Sequence, residues 1–365
     1  MKVTRVEASP IRATVRSDIA IVSSLGMHVD SQYVMVRIET DTGISGLGEA
    51  SVTAIWSGET QPGTIAVIDH VLAPLLIGVD PFDLAWIDRR MSREAFANSF
   101  ARSAVECALL DIQGRALGVP LYRLLGGKNS NTDGVRLKFV VGAVEPHLAA
   151  LRARKMVDAG WTAIKVKVGR DDDPAADLER LRAVRDAIGP DTWLSIDANG
   201  AFSVADAIRL ARQLESLNVK LFEQPTRRGR HAELRQVRRR SPIPIMADES
   251  VFTYDDALDL LRLEAADVLS VYPGKHGGIR PTQEIVRLAE AHGVACTIGS
   301  NLEREVATAA MIHTALATPN LCCEQFPGDL IGPIYYAESL TTKPLRYEKD
   351  RLFAPDAPGL GVEVR

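Results

Sequence analysis

From about Val135 onward the chain repeats one theme: a short apolar run, a polar or small residue that ends it, then an amphipathic stretch of helical spacing. The runs end near Val141, Lys167, Asp197, Glu223, Ala247, Tyr272, Gly299 and Glu324. Their spacing is roughly 25 to 30 residues, the length of one strand–helix unit. About eight such units predict an α/β fold closed into a β/α barrel. The rival is a doubly wound sheet. That fold needs a glycine-rich phosphate loop after its first strand, and none follows 135–142.

The first third reads differently, as α+β. Residues 34–40 (Val-Met-Val-Arg-Ile-Glu-Thr) form a strand, 41–46 a turn, and Gly46-Leu47-Gly48-Glu49 begins the return strand. A helix spans about 104–116, where Ala104, Ala108, Leu109 and Ile112 recur at helical spacing. Gly118-Val119-Pro120 stops it. At 365 residues the chain accommodates a large barrel plus this smaller unit.

Composition excludes several functions. A net charge of −4 gives no pull toward nucleic acid or an anionic membrane. No apolar stretch reaches the roughly 18 residues of a membrane span. Charges at Lys2, Arg5 and Glu7 occupy the place of a signal peptide's apolar core. Cys107, Cys296, Cys322 and Cys323 form no CxxC pair, which predicts reduced thiols and a cytoplasmic location. The arginines at 227, 228, 230, 235, 238, 239 and 240 lack interleaved aromatics and read as a solvated outer face.

Catalytic groups of a β/α barrel sit at the C-terminal ends of its strands. The second run is Ala163-Ile164-Lys165-Val166-Lys167, and alternation puts both lysines on one face. Barrel strands are buried on both sides, so two ammonium groups there cost several kcal/mol unless something offsets them. Mutual repulsion lowers the pKa of each and favours a neutral amine able to act as a base. A lysine pair at a solvated strand end is the plain alternative. Asp197, Glu223 and Asp248 then end three successive runs. Three carboxylates at one barrel mouth repel one another, and a hard divalent cation with oxygen ligation removes the conflict, which suits magnesium. Unrelated acids starting three loops would be the alternative.

Lys165-x-Lys167, Asp197-x-Asn199, Glu223-Gln224-Pro225 and Asp248-Glu249-Ser250 together resemble the muconate-lactonizing subgroup of the enolase superfamily. The likeness covers nearly the whole chain, including Gly46-Leu47-Gly48-Glu49 and the closing Pro358-Gly359-Leu360-Gly361. It implies a (β/α)7β-type modified TIM barrel over 131–344. An α+β capping domain at 1–130 would be completed by about 345–365. By position, Lys167 would be the base and Lys165 its modulator. Asp197, Glu223 and Asp248 would hold Mg2+, with Mn2+ as a substitute, and Asn199, Glu249 and Lys275 would stand just behind the ligands. A lysine base working with magnesium is the general pattern of this superfamily, so these roles come with the resemblance and not from spacing.

The implied activity is removal of the proton alpha to a small substrate carboxylate through an enediolate, leading to cycloisomerisation or β-elimination. The subgroup's run is Lys-x-x-Lys-x-Gly-Gly on strand six. Here it reads Tyr272-Pro273-Gly274-Lys275-His276-Gly277-Gly278, so the first lysine is replaced by Tyr272. An epimerase with Tyr272 as second acid–base group is therefore the alternative enzyme, and a non-catalytic carboxylate-binding paralogue the alternative of another class. Glu324 and Asp329 both suit the acidic position of strand eight. Ser300, Asn301, Trp56 and His28 are further candidates for contacting substrate. A closed homo-oligomer is the expected assembly.

Overall fold

The computed structural model describes residues 1–129, 134–170 and 174–365; the predicted domain boundary at 130/131 lies outside them. Strands β1 (Val3–Thr14), β2 (Asp30–Thr40) and β3 (Ser45–Val52) form an antiparallel sheet in that order. Ile38 sits between Val6 and Gly46 in its register. Helix α1 (Ser99–Leu117) lies against β3. A Cβ at Gly48 would fall 1.8 Å from the Ala104 carbonyl oxygen, so only glycine lets helix and strand backbones meet there. Ala104, Ala108 and Ile112 are buried in that contact; full burial of an isoleucine side chain contributes roughly 1.5–3 kcal/mol. The helix ends where Gly118 turns to φ 68°.

Seven parallel strands follow: β4 (Phe139–Val141), β5 (Ala163–Lys167), β6 (Trp193–Asp197), β7 (Val219–Glu223), β8 (Ile245–Ala247), β9 (Val268–Val271) and β10 (Ala295–Ile298). They are hydrogen-bonded in sequence order, without the reversal that a doubly wound sheet requires. Register matters for the site: Lys167 pairs with Asp197, and Asp197 with Glu223, so the three residues end level. The eighth run does not form a strand. Isolated parallel bridges, Leu321 with Cys296 and Gly328 with Leu137, close the circle instead. Pro327 between them has no N–H to give to a ladder.

Carboxylates of the N-terminal unit grip the starts of two barrel helices. Glu49 accepts hydrogen bonds from the backbone of Arg304 (2.6 Å), Val306 and Ala307 at α3 (Glu305–Ala317). Glu106 on α1 accepts from Ile279 and Arg280 at α2 (Ile279–Ala291). Unpaired N–H groups and the helix dipole both favour an anion there. The chain's last segment divides. Arg346–Glu348 and Arg351–Phe353 pair with Gly134–Arg136, whereas the Leu360 N–H reaches Asp111 on α1 at 2.7 Å. Among the described residues no helix is long and apolar enough to cross a membrane.

Candidate active site

The ends of β5, β6, β7 and β8 deliver Lys165 and Lys167, Asp197, Glu223 and Asp248, and the loops after β6 and β7 are locally strained. Asn199 and Gln224 take positive φ, 44° and 35°, uncommon for residues with a Cβ. The turn at Asn199 lets its N–H reach Asp197 Oδ1 (2.9 Å) while its Nδ2 holds Glu249 Oε1 (2.7 Å). Gln224 Oε1 accepts from the N–H groups of Asp248 (3.0 Å) and Ser250 (3.2 Å), which sets the loop after β8.

A cavity of about 420 Å3 lies over these ends, and Lys165, Lys167, Asp197, Glu223, Asp248 and Asp329 all line it. Lys167 Nζ donates to Asp197 Oδ2 (2.5 Å) and Asn199 Oδ1 (2.9 Å). Lys165 Nζ donates to Glu223 Oε2 (3.0 Å) and Asp329 Oδ2 (2.9 Å). Behind them Lys275, fully buried, donates to Asp248 Oδ1 at 2.6 Å. Sequence reasoning misses Lys138, on the approach to β4, which is fully buried and 2.9 Å from Asp329. Its signal was available: one ammonium in the otherwise apolar run Leu137-Lys138-Phe139-Val140.

Electrostatics here correct one expectation. Burial alone would depress Lys165, but Asp329, Glu223 and Asp197 outweigh it and hold its ammonium well above the usual lysine range. The acids, not the neighbouring lysine, dominate. Burial and the charges of Asp197, Asp329 and Asp248 push Glu223 up to about 7, against the pull of Lys165. Burial, Asp248 and Asp197 raise Glu249 to about 8, and its Oε2 is buried without a hydrogen-bond partner.

Three carboxylates facing one cavity, with a crowded and partly unpartnered acid beside them, fit a hard cation by donor chemistry. As they stand, no three acid, histidine or cysteine side chains among the described residues converge into a ready metal cage. Ion pairing accounts for this: Asp197, Glu223 and Asp248 each lean on an ammonium. Cation binding would have to release at least part of those ion pairs.

A family model described as "Enolase C-terminal domain-like" matches residues 148–365. One for the "Mandelate racemase / muconate lactonizing enzyme, N-terminal domain" matches 7–126. The chain belongs to the mandelate racemase/muconate lactonizing enzyme family. Muconate cycloisomerase 1 of Rhodococcus opacus is 34% identical over 91% of this chain and 88% of its own length. The muconate lactonizing enzyme of Pseudomonas fluorescens, solved with muconolactone, superposes with a TM-score of 0.95 at 30% identity, covering 100% of this chain and 97% of that one. The dipeptide epimerase of Enterococcus faecalis, solved with Mg and the dipeptide L-Leu-L-Tyr, gives 0.93 at 30%, covering 99% of each. The chain is thus an isomerase-type enzyme of the enolase superfamily.

Against the family pattern, two candidates fall outside the site. Glu324 is clamped by Arg351 through two 2.7 Å bonds and does not line the cavity; of the two strand-eight acids, Asp329 is the one at the site. Tyr272 is fully buried and is not part of the cavity wall. Its ring stacks on Trp56, centroids 5.9 Å apart, with Phe100 at 6.5 Å, and its hydroxyl has no partner. Trp56, on the short helix Ala54–Ser57 that follows β3, does line the cavity. Ser300 and Asn301 line the cavity, but their polar atoms serve local contacts: Ser300 Oγ donates to Glu303 (2.6 Å), and Asn301 Nδ2 to the Ser51 carbonyl (3.0 Å). His28 lines the mouth with Nε2 2.6 Å from Ser31 Oγ; burial, with Lys167 nearby, lowers its pKa despite Asp30.

Proposed function

We propose that this enzyme removes the proton alpha to a small substrate carboxylate with Lys167 as its single base, and proceeds to cycloisomerisation or β-elimination. The observation that carries this reading is the asymmetry of the cavity. Lys167 lines the cavity, whereas Tyr272, at the end of β9 where the subgroup carries its second lysine, is buried outside the lining and stacks on Trp56, which does line it. Indole neither accepts nor supplies a proton in this chemistry. Racemisation needs acid–base groups on both faces of the α-carbon, so the wall disfavours it.

Asp197, Glu223 and Asp248 would hold magnesium, the ion named with the Enterococcus faecalis relative. Bound there, it would stabilise the negative charge that develops on the substrate carboxylate as the proton leaves. The protein's own groups do the rest. Lys165, kept cationic by its acids, adds positive charge beside the carboxylate. Asn199 Oδ1 orients Lys167 Nζ, and a general base at that nitrogen takes the α-proton through its lone pair. Ile21, Val52, Val140 and Ile331 add apolar surface to the cavity wall. The test is Lys167→Ala in deuterated buffer with magnesium. Exchange of the substrate α-proton should be lost while magnesium still raises the melting temperature; undiminished exchange would place the base elsewhere.

A further inference from the structure

A second cavity, of about 410 Å3, adjoins the first. Leu25, Ile55, Trp56 and Asn199 line both, so the two spaces meet along one rim. The far space differs in charge. Arg170, Arg227 and Arg228 line it, and among the described residues Glu249 is its only acid. Glu249 Oε1 accepts a hydrogen bond from Asn199 Nδ2 at 2.7 Å.

The arginine run beginning at 227 therefore does not behave as one solvated face. Arg238 pairs with Asp267 and Arg230 with Glu233, as surface arginines do. Arg227 and Arg228 follow β7 on the side of the site. Arg228 is fixed twice: Nη1 donates to the Trp56 carbonyl at 3.0 Å, and its guanidinium carbon lies 4.1 Å from the Phe252 ring centroid. Among the described residues the Arg227 side chain makes no ion pair or hydrogen bond. In the first cavity, by contrast, Lys165 and Lys167 are both bound to carboxylates. Those two ammonium groups serve the reacting end of a substrate, so a second, distant anion meets its cations beyond the rim, in the guanidinium groups of Arg170, Arg227 and Arg228. A guanidinium anchored before binding loses little freedom when it takes an oxyanion.

We infer that the second cavity is a subsite for an anionic group at the far end of the substrate, carboxylate or phosphate-like, whose reacting carboxylate lies at Asp197, Glu223 and Asp248. Arg227 and Arg228 receive it, and the linking chain passes over Trp56. The inference rests on the proton-abstraction reading above.

The test measures binding to the magnesium-loaded protein by calorimetry. Dicarboxylates from succinate to sebacate, and ω-phosphonocarboxylates, are compared with monocarboxylates of equal chain length. At least one doubly anionic member should bind about tenfold tighter than its monocarboxylate, the gain of one charge-assisted contact. Which series wins identifies the anion. Arg227→Gln should remove most of that ratio. Arg228→Gln also loosens Trp56 and so weakens both ligands; the ratio between them, not either affinity, is the readout. Equal affinities throughout, or a ratio that survives in both variants, would overturn the subsite while leaving metal-dependent monocarboxylate binding intact. Absence of metal-dependent binding by every acid would overturn the subsite together with the proposed reaction.

Discussion

At Tyr272 a phenol replaces the lysine of the family run, and its hydroxyl is buried with no hydrogen-bond partner. Burial, with Asp248, Glu303 and Glu249 nearby, holds its pKa well above the ordinary phenol value. A group so placed is a poor proton carrier. Tyr272→Phe removes only the unpartnered hydroxyl, so turnover on an identified substrate should stay within about twofold. Stability should hold or rise by up to about 1 kcal/mol, since an unsatisfied buried polar group costs that order. Chemical denaturation alongside initial rates checks both; a loss of activity of about 100-fold or more would return Tyr272 to the mechanism. The metal ligands allow a complementary test. Magnesium at about 100 times its Kd stabilises a protein by about 2.7 kcal/mol. Glu223→Gln should abolish most of that gain in a thermal titration while leaving the metal-free melting temperature near that of the parent.

Between elements, the contact of α1 with α2 runs through Glu106. Burial and Asp88 push its carboxyl up to about 8, although the Ile279 and Arg280 N–H groups favour its ionised form. An acid whose folded pKa lies above its ordinary value of 4.5 takes up a proton on folding. Its contribution is full below about pH 4.5 and is lost as the pH rises toward about 8. Glu106→Gln has no such titration. The stability of the parent relative to this variant should therefore fall between about pH 5 and 8, measured by denaturant midpoints across that range; a flat difference would show that Glu106 does not titrate there. Strand ends are legible because a charged residue closing an apolar run marks a strand terminus, which locates Lys167, Asp197, Glu223 and Asp248; Lys165 is legible as a second ammonium on the same face of a buried strand. The eighth run reads as a strand because Leu321-Cys322-Cys323 is apolar enough for one, whereas Pro327 and the bridges at Leu321 and Gly328 leave an irregular segment. Whether Glu324 or Asp329 faces inward depended on that path. Tyr272 could not be placed from its own strand, because its surroundings, Trp56 and Phe100, arrive from the capping side 172 to 216 residues earlier in the chain.

Across the whole molecule, the site exists only where the two units meet. The barrel supplies lysines and carboxylates; the N-terminal unit supplies Trp56 and the hairpin Ile21–Ser23 and Gly26–His28 around the mouth. Ser51, Tyr33 and Glu49 tie the units together through Asn301, Leu302 and the start of α3. The central claim is that one base, Lys167, works on one face of the substrate. Its most direct measurement follows solvent deuterium entering the α-position of each enantiomer of a chiral substrate carboxylate, separately, with magnesium present. One-base chemistry predicts exchange in a single enantiomer, without interconversion, and none in Lys167→Ala. Deuterium appearing in both enantiomers, or exchange that persists in Lys167→Ala, would contradict it.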